Sequence, residues 1–193
     1  NLSVIDTGKL SYADKINLIL LRYSLEDELS DYQYKWYLNP ILSDAGFHTE
    51  ITGMGSSVLS TKKEFENYIS KLNDIPRYVD ENLNLMRRGL TLGISQPRVI
   101  FPGYESTYEQ HIVSDHRKSI FWKPFNKKPT GMNDEDWNMI VSAGENAIQD
   151  NAIKGFRNIK TFFDTEYLPK TRTTAGVLHM PQGLAYYQER VHH

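Results

Sequence analysis

The feature that most constrains this chain is the recurrence of apolar residues at every third or fourth position over three long stretches. The first stretch spaces them at Leu18, Leu21, Leu25, Leu29, Tyr32 and Trp36. This spacing puts all six on one side of a helix that is entered at Ser11 and stopped by Asn39-Pro40. The apolar run from Ile16 to Leu21 is far shorter than the roughly 20 residues of a membrane span, so we expect a core helix and no membrane span.

The second stretch contains a helix start and an internal proline. Thr61 and Glu64 fit a capping box, in which each side chain accepts a hydrogen bond from the other residue's backbone N–H. Pro76 suits the first turn of a further helix, because proline has no N–H to leave unpaired, and Gly93 can close that helix. We therefore predict two helices, which pack as a hairpin or follow one another through a kink.

The third stretch is the longest. Asn133 can cap a helix, and the apolar period then continues from Trp137 to Tyr167. The pattern predicts one very long helix or two helices joined near Asn151. Pro169 is expected to end it.

Residues 41–60 differ from these stretches because they have no helical period and contain Gly46, Gly53 and Gly55. They favour an ordered loop or a short extended pair. The sequence as a whole thus predicts a mostly α fold: a multi-helix array with long helices and one irregular or short extended insertion around residues 41–60. No repeat or flexible linker divides the chain, so we expect a single helical domain over residues 1–193.

Composition excludes several classes of function. The 22 Lys and Arg residues against 24 Asp and Glu leave no basic field for phosphates, so nucleic acid is not an expected partner. The chain has no Cys, which excludes disulfides, thiolate zinc sites and a Cys nucleophile. Its six His residues contain no His-Glu-x-x-His pattern. We therefore predict no catalytic residue, metal ligand or cofactor within this chain.

The two ends of the sequence suggest a larger protein. A helix is expected to open at Met180, Pro181 and Gly183, and it reaches His193 without a closing signal. We expect an N-terminal fragment whose uncovered apolar face favours self-association. A first residue of Asn rather than Met favours a periplasmic or exported protein without its leader over a cytoplasmic one.

Several motifs follow one another in an order that resembles a known family. They are Phe47 to Ile51, Tyr68 to Pro76 (Y-x-x-x-L-x-x-I-P), Met86 to Gly93 (M-R-x-G-x-x-x-G), Gln96 to Val99 (Q-P-R-V) and Pro181 to Tyr187 (P-x-G-x-x-Y-Y). From residue 11 onwards the chain resembles the N-terminal half of the bacterial "domain of unknown function 885" family. The ordered series is far more specific than any one of these motifs.

The resemblance implies a large, mainly helical protein that is similar to helical zinc peptidases. It also implies that the metal-binding segment, with its His-Glu and Gly-His pairs, lies downstream of the position of His193. This chain would then contribute cleft wall and substrate contacts, while zinc belongs to the full-length protein. By motif match, Tyr186, Tyr187 and Arg190 are the expected substrate-binding residues.

Two other functions stay open. One is a noncatalytic helical binding or scaffold domain. The other is a peptide-binding module retained after the loss of catalysis, for which we expect a pocket that contains Tyr187 and Arg98. The expected partners are the C-terminal half of the same protein and a peptide substrate.

Overall fold

The computed structural model describes residues 2–192, apart from the side chains of Ser3 and His192. The chain divides into two compact units. Unit 1 combines the residues before Leu38 with those after Ala175, and unit 2 is Leu38–Ala175. The mostly α fold is confirmed, and no strand occurs between residues 2 and 192. The expectation of a single domain stays a prediction.

The helices are bounded as follows. Unit 1 contains α1 (Tyr12–Gln33) and α8 (Gly183–His192), while unit 2 contains α2 (Phe47–Thr52), α3 (Lys62–Thr91), α4 (Ser106–Glu109), α5 (Asp134–Ala147), α6 (Ile153–Phe162) and α7 (Leu168–Lys170). Short 3₁₀ helices lie at Leu2–Val4, Thr7–Lys9, Trp36–Leu38, Gly53–Ser56, Arg98–Ile100, His116–Lys118, Ile120–Asn126 and Val177–His179.

Helix α3 begins where the capping box predicts. The Glu64 backbone N–H donates to Thr61 Oγ1 over 3.3 Å, and the Thr61 N–H donates to Glu64 Oε2 over 2.9 Å. Pro76 lies inside this helix and does not begin another, so the prediction of two helices is wrong and one continuous helix takes their place. An internal proline costs about 3 kcal/mol. Here Leu72 and Val79, on either side of it, are fully buried, and their packing offsets that cost.

The prediction of one very long helix in the third stretch is confirmed. Asn133 Oδ1 accepts from the Asp136 N–H over 2.7 Å at its start. Two π-helical turns, Ile148–Ala152 and Phe163–Tyr167, connect α5, α6 and α7 without a break. The first of these turns includes Asn151, where a junction was expected. The helix ends at Lys170, directly after Pro169.

The insertion at residues 41–60 is partly helical, which corrects the expectation of an extended pair. Its extended part is one isolated bridge between Ile41 and Gly46. Residues 47–56 instead form α2 and a 3₁₀ helix. The physical reason is the spacing of Phe47 and Ile51, which lie one helical turn apart and are both buried. Thr49 Oγ1 also accepts from the Gly46 N–H over 3.1 Å and so stabilises the first turn.

The core of unit 2 lies where α3 packs against the long helix of residues 134–170. Aromatic rings fill most of it. Gly144 is required at one close approach, because a Cβ there would lie 2.4 Å from the Phe125 ring. The largest fully buried side chains of this unit are Tyr108, Tyr167, Phe65, Phe121, Phe156, Phe162, Phe163, Leu38, Ile41, Leu72, Leu83 and Met86.

The described residues of unit 1 form no comparable core. The prediction that α1 is a core helix is wrong for the described chain, since Ile19 is 62% exposed and Leu29 is 67% exposed. Two polar contacts join helix α1 to α8: the Arg190 guanidinium pairs with Asp27, and Ser30 donates to Glu189. The periodicity was therefore right about the helix and wrong about its burial.

Among residues 2–192, none of the helices has the length and apolar character that crossing a membrane requires.

Candidate functional site

Two clefts in unit 2 share part of their walls and form one groove along α2 and α3. The first, of about 380 Å³, is lined by Asn39, Pro40, Ile41, Leu42, Ala45, Gly46, Phe47, Thr49, Glu50, Tyr78 and Asn82. The second, of about 270 Å³, is lined by Glu50, Ile51, Met54, Lys71, Asp74, Ile75 and Tyr78. Glu50 and Tyr78 belong to both. We call the two clefts together the α2–α3 groove.

Helix α2 forms part of the groove wall, and its two faces differ in burial. Phe47 and Ile51 are buried on the face that packs into unit 2, while Glu50 is exposed. The Phe47 ring lies edge-on to that of Tyr78, with 6.2 Å between the ring centroids. This contact holds α2 against α3 and sets Tyr78 at the junction of the two clefts.

The charges along the groove are unevenly neutralised. Asp74 accepts two hydrogen bonds from Arg77, over 2.7 and 2.5 Å, and this lowers the pKa of its carboxyl. Glu50 has no ion-pair partner within 4 Å among the described residues. Burial raises the pKa of Tyr78, and the nearby Glu50 carboxylate raises it further. The junction therefore carries a carboxylate without a direct ion pair, and Lys71 lines the second cleft together with it.

Asn39 lines the first cleft, and its side-chain amide is buried behind that wall. It is only 5% exposed, and its Oδ1 accepts from the Tyr167 hydroxyl over 2.7 Å. That hydroxyl in turn accepts from the Gln96 backbone N–H over 3.1 Å. This chain of hydrogen bonds orients the Asn39 amide and leaves its Nδ2 without a partner. A buried donor without a partner is costly, but this nitrogen is closed off from the cleft surface, so a ligand cannot reach it in this arrangement.

His48 lies next to the groove but has a structural role. Thr107 Oγ1 donates to the Tyr104 carbonyl over 2.7 Å, so it accepts from His48 Nε2 over 2.8 Å. Burial lowers the pKa of His48 to about 4, with a smaller contribution from His111. The imidazole is therefore neutral near pH 7, and it packs between the rings of Tyr104 and Tyr108.

The residues predicted from the sequence to contact substrate are placed elsewhere. Arg98 donates to the carbonyls of Leu168 and Pro169 over 2.9 and 3.0 Å, which closes the end of α7. Arg190 pairs with Asp27, as described above. The Tyr186 ring lies against Tyr34.

Tyr187 differs from those three residues, because its side chain is 52% exposed. It belongs to unit 1, whereas Arg98 belongs to unit 2. A role for Tyr186, Tyr187, Arg190 and Arg98 in substrate binding stays a prediction.

Sequence reasoning missed the groove residues, although one signal pointed to them. The segment from Phe47 to Ile51, which contains Glu50, is one of the motifs that carry the family resemblance. Its lack of a long helical period concealed the short helix. Asn39 gave no signal of its own, because its hydrogen-bond partner Tyr167 lies 128 residues away in the sequence.

The resemblance implies zinc in the full-length protein. Within the part of the chain that the structure describes, no three His, Asp or Glu residues are grouped so that they could hold a metal ion.

Comparison with known proteins identifies the family. A bacterial family whose members are described as proteins of unknown function, DUF885, matches residues 1–193. The chain belongs to this family. No curated protein and no solved structure matches this chain. The resemblance inferred from the ordered motifs is thus confirmed over the whole chain.

Proposed function

We propose that this chain is the N-terminal helical part of a metal-dependent peptidase-like hydrolase, in which it supplies the wall that binds a peptide. The metal-binding segment would belong to the C-terminal half of the same protein. In this proposal the chain alone is inactive, and its own residues bind and orient the substrate. The metal, when bound by the other half, would polarise a peptide carbonyl and activate water.

The observation that supports this proposal is the α2–α3 groove. Ligand sites are concave and mostly apolar, with a few polar groups that fix orientation. The groove has apolar walls at Ile41, Phe47 and Ile75, and charged groups at Glu50 and Lys71. An extended peptide carries apolar side chains and charged ends, which match these features.

The substrate contacts expected from the family motifs are part of the same proposal. Tyr187 has the exposed side chain that such a contact needs. The internal contacts described above already engage Tyr186, Arg190 and Arg98. A substrate would therefore bind these side chains only if those contacts were broken. We therefore assign the larger share of peptide binding to the groove.

A second function uses the same groove without chemistry: a noncatalytic helical domain that binds peptides or serves as a scaffold. The observation that favours it is the content of the groove, whose polar groups are suited to binding and do not include a nucleophile hydrogen-bonded to a base.

The experiment compares cleavage and binding in the full-length natural protein. Metal content is measured together with hydrolysis of a mixed peptide library, with and without a chelator. Stoichiometric zinc and chelator-sensitive cleavage are expected. Zinc-free protein that binds peptides but does not cleave them would support the noncatalytic alternative.

A substitution tests whether the groove is the binding wall. Met54→Trp places a bulky ring in the second cleft, and we expect it to lower kcat/KM by about tenfold, which corresponds to ~1.4 kcal/mol. Met139→Trp makes the same change at an exposed position on α5 and should leave kcat/KM unchanged. Equal activity of the two variants would remove the groove from the proposal.

A further inference from the structure

We propose that helix α1 is the interface of a symmetric dimer, in which it packs antiparallel against α1 of a second copy of the chain. The two-fold axis lies at the level of Ser24, so that Arg22 of each copy faces Glu26 of the other. The inference concerns unit 1 alone and does not depend on the proposed peptidase function.

The first step is the exposed apolar side of α1. Leu21 is 48% exposed, Leu25 38% and Leu29 67%. Helix α8 contacts the opposite side of α1, at Asp27 and Ser30, and leaves these leucines uncovered. A contiguous apolar surface that stays exposed marks a site of association with another molecule.

The second step is a cleft on the first half of α1. It has a volume of about 350 Å³ and is lined by Thr7, Gly8, Lys15, Leu18, Ile19 and Arg22. The last four of these residues are spaced at i, i+3, i+4 and i+7. This is the four-residue hole that receives one side chain from a facing helix. In an antiparallel pair with its axis at Ser24, Leu29 of the second copy lies opposite this hole, and symmetry repeats the contact.

The third step is the distribution of charge along α1. Its first half carries Lys15, Arg22 and one carboxylate, Asp14. Its second half carries only carboxylates, which are Glu26, Asp27, Glu28 and Asp31. Parallel pairing of two copies would place the acidic halves against each other, whereas antiparallel pairing places each acidic half against a half with two cations. The charges therefore favour the antiparallel arrangement.

The fourth step identifies one ion pair between the copies. Arg22 and Glu26 are exposed and lie one helical turn apart, and neither has an ion-pair partner within the part of the chain that the structure describes. The axis that places Leu29 of one copy at the cleft of the other also places Arg22 opposite Glu26. Two-fold symmetry forms this pair twice. The shape of the cleft and the positions of the charges thus give the same register.

A second copy fits this helix better than a membrane surface does. Helices that lie on membranes carry mainly Lys and Arg on their polar side. Helix α1 has five carboxylates against two cations, so anionic headgroups would repel it.

The test is sedimentation equilibrium of the full-length natural protein and its charge variants. We expect a monomer–dimer equilibrium with Kd in the micromolar range, because one helix from each copy makes a small interface. Arg22→Glu should raise this Kd about tenfold or more, since it replaces two ion pairs by two repulsions between carboxylates. Glu26→Arg should have the same effect. Protein diluted below Kd is monomeric, and its unfolding reports α1 in the exposed state.

Two restored associations distinguish this register from a general effect of charge. The double variant Arg22→Glu/Glu26→Arg exchanges the two charges and should return Kd to within about threefold of the original value. An equimolar mixture of the two single variants should form mixed dimers, because one copy then presents two carboxylates and the other two guanidinium groups. The matched control, Arg157→Glu, makes the same change at an exposed position on α6 and should leave Kd unchanged.

Three results would overturn the proposal. They are a monomer at every concentration, a dimer whose Kd is unaffected by Arg22→Glu, and single variants whose mixture does not associate. A monomer that binds vesicles of phosphatidylcholine and phosphatidylserine would also overturn it and assign α1 to a membrane surface. Circular dichroism checks that each variant keeps its helical content.

Discussion

The two units of this protein show what a helical apolar period does and does not determine. Helix α3 and helix α1 both carry an apolar residue at every third or fourth position. In α3 these residues are buried, with Leu72 and Val79 at 0% exposure, whereas Leu29 of α1 is 67% exposed. The period therefore determines that a helix forms, and the contacts available to it decide whether its apolar side is buried.

The largest expected difference between the two units is in how much the substitution of a leucine by alanine lowers the free energy of unfolding. Leu72→Ala in α3 should lower the free energy of unfolding by about 2–5 kcal/mol, because it leaves a cavity in a close-packed core. Leu29→Ala in α1 should change it by no more than about 0.5 kcal/mol. Urea unfolding, followed by circular dichroism, measures both.

The two leucine variants also test whether α1 is exposed in solution. If Leu29→Ala costs as much as Leu72→Ala, then α1 is buried in solution, either by a second copy of the chain or by other residues of the same molecule. Sedimentation at the same protein concentrations would then distinguish self-association from burial within one molecule.

The second expected difference is a pH dependence that originates in unit 2. His48 has a pKa of about 4 in the folded protein, whereas an unfolded His titrates near 6.5. Its contribution to stability is therefore complete above pH 6.5 and is lost as the pH falls towards 4. Between pH 7 and pH 5 this loss amounts to about 2 kcal/mol. The lowered pKa of His111 acts in the same direction.

The pH dependence is measured by urea unfolding at both pH values. His48→Gln keeps a donor for Thr107 but cannot titrate, so its stability should fall less between pH 7 and pH 5 than that of the unsubstituted protein. His179→Gln, in unit 1, should keep the full pH dependence. An unchanged dependence in His48→Gln would show that other groups cause it.

The smallest expected difference in stability is between alanine substitutions of two glycines, one in each unit. Gly144→Ala in unit 2 places a Cβ 2.4 Å from the Phe125 ring and should cost about 1–2 kcal/mol, since overpacking outweighs the gain in helix propensity. Gly176→Ala in unit 1 brings its Cβ no closer than 3.6 Å to His179, at a φ of −67° that alanine adopts readily. It should be neutral or stabilise by up to about 1 kcal/mol. Thermal unfolding separates the two, and equal melting temperatures would contradict the packing argument.

Local sequence signals predicted the parts of this fold that depend on neighbours in the chain. The capping box at Thr61 and Glu64, the cap at Asn133 and the end after Pro169 all follow from groups within four residues of one another. Pro76 was misinterpreted because the packing that keeps α3 continuous comes from the long helix of residues 134–170.

The groove was harder to predict for a related reason. Its first cleft joins residues 39–50 to Tyr78 and Asn82, and the amide of Asn39 is oriented by Tyr167. No spacing rule connects positions so far apart. The family motifs identified the segment around Glu50, but they gave no information about the cleft that it lines.

The hydrogen bond between Asn39 and Tyr167 has a consequence for the order of folding. It closes a loop of 128 residues, and contacts of such long sequence separation form late because their closure costs the most chain entropy. Helices α3, α5 and α6 can form from local interactions before this bond exists. The first cleft would therefore be complete only in the last steps of folding, when the two ends of unit 2 have been brought together.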